Sequence, residues 1–375
     1  MKPGLLYRFL KAYVPLGFRI YYRRFQIHNQ DKVPLKGPVI FAINHQNAFM
    51  DALIVAVSSA RNPWFITRAS VFGSAAARWW LQKLQMLPIY RFRDGHANMK
   101  KNDEAMERTR QLLLQNQTIL IFPEGNHDRH WSLRPLQKGI ARMSFDLEQT
   151  SSFTAGLQIV PVGIQYENHL LSRSEVLITF GDPIHVVAYR ELYENQPAHA
   201  VNALMADLKN AMQKLIVDIP VDENYPVYHN AVQQRQGRPK NLFQRLTSDK
   251  EFISALLESK QLPAVKSRRQ PRWCSWLKPL FLLVFLPHFP ALVLIQSLIK
   301  KVVKDDHWTS SIKFAGLIIL FPMLYLIEIV LFWVLTQNLT ATFIFVLALI
   351  PTGIAGLNYR DCCRKSAVFN ETQPH

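Results

Sequence analysis

Three apolar runs near the C-terminus restrict this chain more than any other feature. Pro279 to Ile299 carries no formal charge, Phe314 to Leu335 carries only Glu328, and Leu339 to Leu357 carries none. Each run is close to the roughly 20 apolar residues that cross a bilayer as a helix. A helix on the surface of a soluble domain keeps a polar face, so three successive runs without one predict transmembrane or intramembrane helices. Lys266, Arg268, Arg269, Arg272 and Lys278 precede the first run, and Lys300, Lys301, Lys304 and Lys313 follow it. Basic residues stay on the cytoplasmic side, so both flanks prefer the same side. The middle of that run reads "PHFP", and its two prolines, Pro287 and Pro290, remove N–H donors and favour a bend. Residues 279–299 are therefore expected to form a re-entrant or transmembrane segment, and 314–357 a two-helix transmembrane hairpin closed by the uncharged "TQNLTA". Arg360, Arg364 and Lys365 then return the C-terminus to the cytoplasmic side, where the N-terminal domain also lies.

The other end of the chain is basic. Lys2, Arg8, Lys11, Arg19, Arg23 and Arg24 appear before the first acid, Asp31, and they interrupt the apolar residues too often for a secretory signal. Leu5, Leu6, Phe9, Leu10, Tyr13 and Val14 recur at helical spacing until Pro15, where the pattern is expected to stop. Residues 1–30 read as an amphipathic interfacial helical segment lying on an anionic membrane surface. The competing reading is a helix packed on the domain with a solvated basic face. A net charge of +17 calls for a polyanionic partner: nucleic acid, anionic lipid or a phosphorylated substrate. No groove-binding motif is present and the basic residues cluster beside apolar segments, so nucleic acid fits least. Three cysteines, Cys274, Cys362 and Cys363, are too few and too uneven for a disulfide framework, which points to a reducing compartment.

Between these ends, residues 31–219 alternate strand-like runs ("PVIFAI", "WFIT", "MLPIYR", "TILIFP", "LQIVPVGIQY", "EVLITFG") with helical stretches. That alternation predicts an α/β domain with a partly parallel sheet. Sites in such sheets lie at the C-terminal ends of strands. The polar stretches after "PVIFAI" and "TILIF" sit there. Composition turns polar and basic over 220–275, which reads as a linker or lid.

The two polar stretches hold the chemistry-bearing residues. "NHQNAFMD" sets His45 and Asp51 six positions apart. Six residues of regular helix would turn the two side chains to different faces, so His45 must precede the helix and Asp51 must reach back from its first turns. The extra residue can be absorbed in the turn, at Asn47. "FPEGNHDRHWSLRPLQKG" forces a turn at Pro123 and Gly125, holds Glu124 within it, and follows with His127, Arg129, His130, Arg134 and Lys138.

Together these stretches resemble the glycerol-phosphate acyltransferase superfamily, the lysophosphatidate and glycerol-3-phosphate acyltransferases. Four blocks stand in the family's order: Asn44, His45 and Asp51; "WFITR" with Arg68; "FPEG" over Phe122, Pro123, Glu124 and Gly125; and "IVPVGI" with Pro161 and Gly163. Two departures are present. Five residues separate His45 from Asp51 where four are usual, and Asn126 and His127 replace the usual Thr/Ser-Arg after "FPEG". Five, with "HDR" following, looks more like the glycerol-3-phosphate or dihydroxyacetone-phosphate branch known from fungi.

The resemblance implies a membrane-bound acyltransferase of phospholipid biosynthesis. It would move a fatty acyl group from acyl-CoA or acyl carrier protein to glycerol 3-phosphate or 1-acylglycerol 3-phosphate, with no further cofactor and no metal. His45 would be the general base and Asp51 its orienter. Asn44, Arg68, Phe122, Pro123, Glu124, Gly125, Arg129 and Lys138 would bind substrate, with Glu124 on the glycerol hydroxyls and the cations on phosphate. N–H groups at the helix start after His45, or in the Pro-Val-Gly strand, would meet the oxyanion. The alternatives are a non-catalytic lipid-binding protein of the same fold and a thioesterase in which water replaces the alcohol.

Overall fold

The computed structural model describes residues 3–89, 99–259, 277–302 and 308–371. An N-terminal helix, α1 (Leu5–Tyr21), leads into a sheet built from β1 (Arg24–His28), β2 (Val39–Ile43), β3 (Pro63–Arg68), β4 (Met86–Ile89), β5 (Thr118–Ile121), β6 (Gln158–Tyr166), β7 (Glu175–Phe180) and β8 (Ile184–His185). The helices between them are α2 (Ala48–Ser58), α3 (Ala75–Lys83), α4 (Met99–Leu114), α5 (Gly139–Thr150), α6 (Arg190–Asn195) and α7 (Pro197–Lys214). The strand order is β1-β7-β6-β2-β5-β3-β4, with β8 beside β6. Strands β6, β2, β5, β3 and β4 run parallel to one another. β7 and β8 run antiparallel to β6, and β1 runs parallel to β7. The sheet is therefore mixed, as the alternation of strands and helices implied.

β2 and β5 pair in register from Val39 opposite Thr118 to Ala42 opposite Ile121. That register brings the chain leaving β2 beside the chain leaving β5. β2 is buried along its whole length, because strands covered by helices on both faces lose contact with water. One face carries α1 and α2, whose Val14, Phe18, Met50 and Ile54 pack on Phe41, Ile43 and Val162. The other carries α4, α5 and α7 through Leu112, Ile140 and Leu208 packed on Ile40 and Ile159. At Gly163 the sheet leaves no room for a side chain. A Cβ there would collide with the Leu215 carbonyl, which explains the glycine of the Val-Pro-Val-Gly block.

Three expectations need revision. α1 does not stop at Pro15 but continues to Tyr21. The proline removes one backbone donor, and the burial of Val14, Gly17, Phe18 and Tyr21 on one face offsets that loss. The N-terminal helical segment also ends sooner than residue 30, because β1 is the edge strand of the sheet, paired with β7 from Arg24 opposite Glu175. Residues 220–275 are, up to Ser259, a packed helical pair rather than a linker. α8 (Tyr225–Gln234) and α9 (Leu242–Ser259) bury Tyr228, Val232, Leu242, Leu246 and Ile253 with Trp131 and Leu177. Arg235 and Arg238 both meet the buried Asp249, at 3.0 and 2.5 Å. The polar sequence had hidden this core because its cations serve a buried carboxylate. Residues 260–275 lie outside the described residues.

Among the described residues, Thr309–Thr336 and Leu339–Arg360 are long and apolar enough to cross a membrane. The first apolar segment is two helices, Lys278–Val284 and Leu286–Lys301, bent by 58° at their junction.

Candidate active site

β2 ends at Ile43, and the four residues that follow turn the chain into α2. Asn44 locks the start of this turn. Its side-chain amide donates to the Ile164 carbonyl at 3.0 Å, and its oxygen accepts from the Ile164 N–H at 2.7 Å. Asn47 then takes a non-helical conformation and Ala48 has φ +39°. This left-handed residue takes up the extra position between His45 and Asp51. Asp51 sits in the first turn of α2 and reaches back.

The result is a fully buried carboxylate with four partners. Oδ2 of Asp51 lies 2.9 Å from Nδ1 of His45 and accepts the N–H groups of Gln46 at 2.8 Å and Asn47 at 2.7 Å. Oδ1 accepts the hydroxyl of Tyr166 at 2.6 Å. Burial and the Asp51 charge hold the Tyr166 phenol well above its ordinary value, so it remains a donor. An ionised carboxylate at Nδ1 selects the tautomer with the proton on that nitrogen, which leaves Nε2 as a base. The His45 ring lies flat on Phe122, with centroids 3.8 Å apart and planes 14° apart, and edge-on to His127 at 5.4 Å.

The second loop leaves β5 at Phe122. Gly125 takes φ +74°, and its N–H returns to the Phe122 carbonyl at 3.0 Å. Glu124 is buried and binds the two loops together. Its Oε1 accepts the backbone N–H of His45 at 2.7 Å, and its Oε2 accepts Nε of Arg134 at 3.1 Å. Burial pushes the Glu124 carboxyl above the usual range, and the His45 N–H and the Arg134 guanidinium oppose that push. The Asp128 N–H donates to the His45 carbonyl at 3.0 Å, a second bond across the loops. The Pro123 carbonyl accepts from Gln137 at 2.8 Å.

The structure thus brings His45, Asp51, Phe122 and Glu124 together, with Asn44 and Pro123 as buried supports. Arg68 stands exposed at the end of β3 and donates to Oδ1 of Asn126 at 2.7 Å, so it borders the same loop. Arg129 and Lys138 are exposed, Lys138 just before α5.

Three expected roles change with this geometry. Both amide groups of Asn44 hold Ile164, which makes Asn44 a brace. Both oxygens of Glu124 already accept protein donors, so its shown role is to clamp the two loops together. The N–H groups of Gln46 and Asn47, expected at the oxyanion, point instead at Asp51. The sequence reading missed Tyr166, the carboxylate's fourth partner. It sits two residues beyond Ile164, on the same face of β6 as the end of the "IVPVGI" block, and strand alternation could have found it.

Residues 24–165 match the family model described as Acyltransferase. The chain is 34% identical over 110 residues to "Glycerol-3-phosphate O-acyltransferase 2" of Saccharomyces cerevisiae, covering 29% of this chain and 14% of that protein. It is 34% identical over 111 residues to "Glycerol-3-phosphate O-acyltransferase 1" of the same yeast, covering 28% and 14%. An uncharacterized acyltransferase of Schizosaccharomyces pombe is 33% identical over 115 residues, covering 30% and 17%. The alignments therefore take in only a small part of each relative's length. Among solved structures, the 1-acyl-sn-glycerophosphate (LPA) acyltransferase PlsC from Thermotoga maritima has 14% identity and a TM-score of 0.40, over 55% of this chain and 79% of that one.

Proposed function

From the match of residues 24–165 to the Acyltransferase family model, we propose that the chain is a membrane-anchored O-acyltransferase of the glycerol-phosphate acyltransferase superfamily. It transfers a fatty acyl group from a thioester, acyl-CoA or acyl carrier protein, to glycerol 3-phosphate or 1-acylglycerol 3-phosphate. The names of the two yeast relatives favour glycerol 3-phosphate. The two apolar C-terminal helices hold it in the bilayer, with the catalytic domain on the cytoplasmic face.

The observation that carries this reading is the His45–Asp51 pair at 2.9 Å, with Asp51 held by three further donors. The acceptor hydroxyl loses its proton to Nε2 of His45 as its oxygen attacks the thioester carbonyl carbon. Asp51 stabilises the imidazolium that forms. Collapse of the tetrahedral intermediate breaks the C–S bond, and the imidazolium proton passes to the departing sulfur. The ester and free thiol are the products, and His45 is neutral again. No protein nucleophile takes part. Arg68 is the first candidate for the acceptor phosphate, since its guanidinium stands at the strand end that borders the Glu124 loop.

Purified protein in lipid, given labelled acyl-CoA or acyl carrier protein with and without each acceptor, tests the reading. Ester formed only when a glycerol phosphate is present supports it. Free fatty acid released regardless of acceptor means a thioesterase, and no turnover with any donor means a binding protein. His45→Ala is expected to lower transfer by about 10²–10⁴-fold while the fold is retained.

A further inference from the structure

α3 exposes two adjacent tryptophans, Trp79 at 53% and Trp80 at 52%. The helix is anchored by Leu81 and, just past its end, Leu84, which pack on the core. Ser74 caps its start by accepting the Ala77 N–H at 3.0 Å. α3 is thus a formed helix that turns large aromatic rings away from the protein. Its sequence, "AAARWWLQK", has two cations and no acid. Nζ of Lys83 lies 5.6 Å from the Trp79 ring centre, so cation and indole share one surface. Tryptophan beside Lys or Arg is the composition of a membrane–water interface, where the ring sits among headgroups and the cation reaches anionic phosphate.

The placement of α3 points to the same partner. Leu81 and Leu84 pack on the core cluster that holds Phe18 of α1 and Phe314 of the first long apolar helix. Phe314 stacks on Phe18 with ring centres 4.4 Å apart, and the Tyr13 hydroxyl donates to the Ile318 carbonyl at 2.7 Å. α1, α2 and α3 therefore lie on the side of the sheet that receives the membrane helix. α4, α5 and α7 cover the other side with a separate core. β3 ends at Arg68 and passes through the turn Ala69–Phe72 into α3, so a membrane on α3 would lie beside the candidate phosphate residue.

We propose that α3 is a second membrane-surface anchor, which places Trp79 and Trp80 in the headgroup region of an anionic phospholipid bilayer. The proposal rests on reading the C-terminal apolar helices as membrane spans. It gives the domain a contact with the bilayer independent of those helices. It also sets the Arg68 end of the sheet at the surface from which a lipid acceptor or acyl chain arrives.

The test uses the full chain with Cys274, Cys362 and Cys363 replaced by Ser, reconstituted in vesicles of phosphatidylcholine and phosphatidylglycerol. Single cysteines are introduced by Trp80→Cys on α3, Val187→Cys on the opposite layer and Leu326→Cys on the long apolar helix Thr309–Thr336, and each is labelled with an environment-sensitive fluorophore. Spin-labelled lipid then quenches whatever lies in the bilayer. The expected result is strong quenching at 326 and at 80, with the label at 80 quenched at least about twofold more than that at 187. Quenching at 326 with none at 80 overturns the α3 proposal and leaves the membrane spans intact. Absence of quenching at both positions overturns the spans and the proposal together. Ala76→Cys, exposed on the same helix, replaces Trp80→Cys if that variant does not assemble.

Discussion

The hydroxyl of Tyr166 donates to Oδ1 of Asp51 at 2.6 Å, across 115 residues of chain. Asp51 orients His45 from the α2 side, and Tyr166 holds Asp51 from the middle of the sheet. The geometry of the His45–Asp51 pair therefore depends on the register between β2 and β6. A slip of one residue would turn Tyr166 to the other face.

Tyr166→Phe tests that dependence. It removes one hydrogen bond to a buried carboxylate, a type of bond worth about 1.5–3 kcal/mol. Because the tyrosine acts through Asp51, kcat is expected to fall about tenfold with KM for both substrates nearly unchanged. In an Asp51→Asn background the same change should add little. A full second loss in that background would show that Tyr166 acts elsewhere.

The Glu124 clamp carries a stability prediction. Glu124 has a side chain 2% exposed, against 25% for its partner Arg134. Arg134→Met leaves the carboxylate buried without its cation, and breaking a buried pair on one side is costly. With Arg134 a quarter exposed, the expected loss is about 2–3 kcal/mol, below the range for fully buried pairs. Adding Glu124→Gln should restore part of it, because the amide oxygen still accepts the His45 N–H and no charge is left unpaired. Chemical unfolding of the single and double variants measures both.

Arg68→Ala is expected to raise KM for the phosphorylated acceptor and leave KM for the thioester nearly unchanged. A guanidinium on phosphate is worth about 1.5–3 kcal/mol, or roughly 10- to 100-fold in KM. Steady-state kinetics with each substrate varied in turn decides it. An equal effect on both would mean that Arg68 only supports the loop through Asn126.

His229 predicts acid sensitivity. Its ring packs against Trp131 and Tyr225, and burial, with His130 and Arg238 nearby, lowers its pKa to about 4. In the unfolded chain it titrates near the ordinary value of about 6.5. Between those values the unfolded state binds the proton and the folded state does not, so stability is complete above the upper value and falls as pH drops toward the lower one. Tm measured from pH 7 to pH 4 should decline less steeply in His229→Phe than in wild type. Parallel curves would show that the ring titrates normally.

The 58° bend makes the first apolar segment either a broken span or a re-entrant loop, and a re-entrant path would keep Cys274, which precedes it in sequence, on the same cytoplasmic side as Cys362 and Cys363, which follow the third segment. An impermeant maleimide should label none of the three cysteines in intact cells, and the accessible ones should react after lysis. Labelling of Cys362 and Cys363 alone in intact cells would instead mean three complete crossings.

Much of this protein is written locally. Asn44, His45, Asp51 and the Phe122–Gly125 block occupy two short windows, each at a strand end, and strand alternation and spacing are properties of neighbouring residues. Helix geometry forbids His45 and Asp51 from sharing a face, so the spacing required His45 to precede α2; the extra residue was expected at Asn47, and the left-handed residue is its neighbour Ala48. The apolar runs were legible for a similar reason. Length without charge is a direct measure of what a bilayer accepts.

What the sequence determined by itself was the α/β alternation, the two loops bearing the candidate site, and two helices able to cross a membrane. The tertiary structure decided the rest. β1 alternates polar and apolar residues over only five positions, "RFQIH", directly after a basic helix, and pairing with β7, about 150 residues away, is what makes it a strand of this sheet. α8 and α9 looked like a linker until Asp249 was seen to take two arginines out of solvent. Glu124 has the composition of a ligand, but the parallel β2–β5 register delivers the His45 N–H to one of its oxygens, and Arg134 takes the other. A buried carboxylate must be satisfied by whatever donors the fold brings near it. Those donors come from chain segments that no local pattern connects.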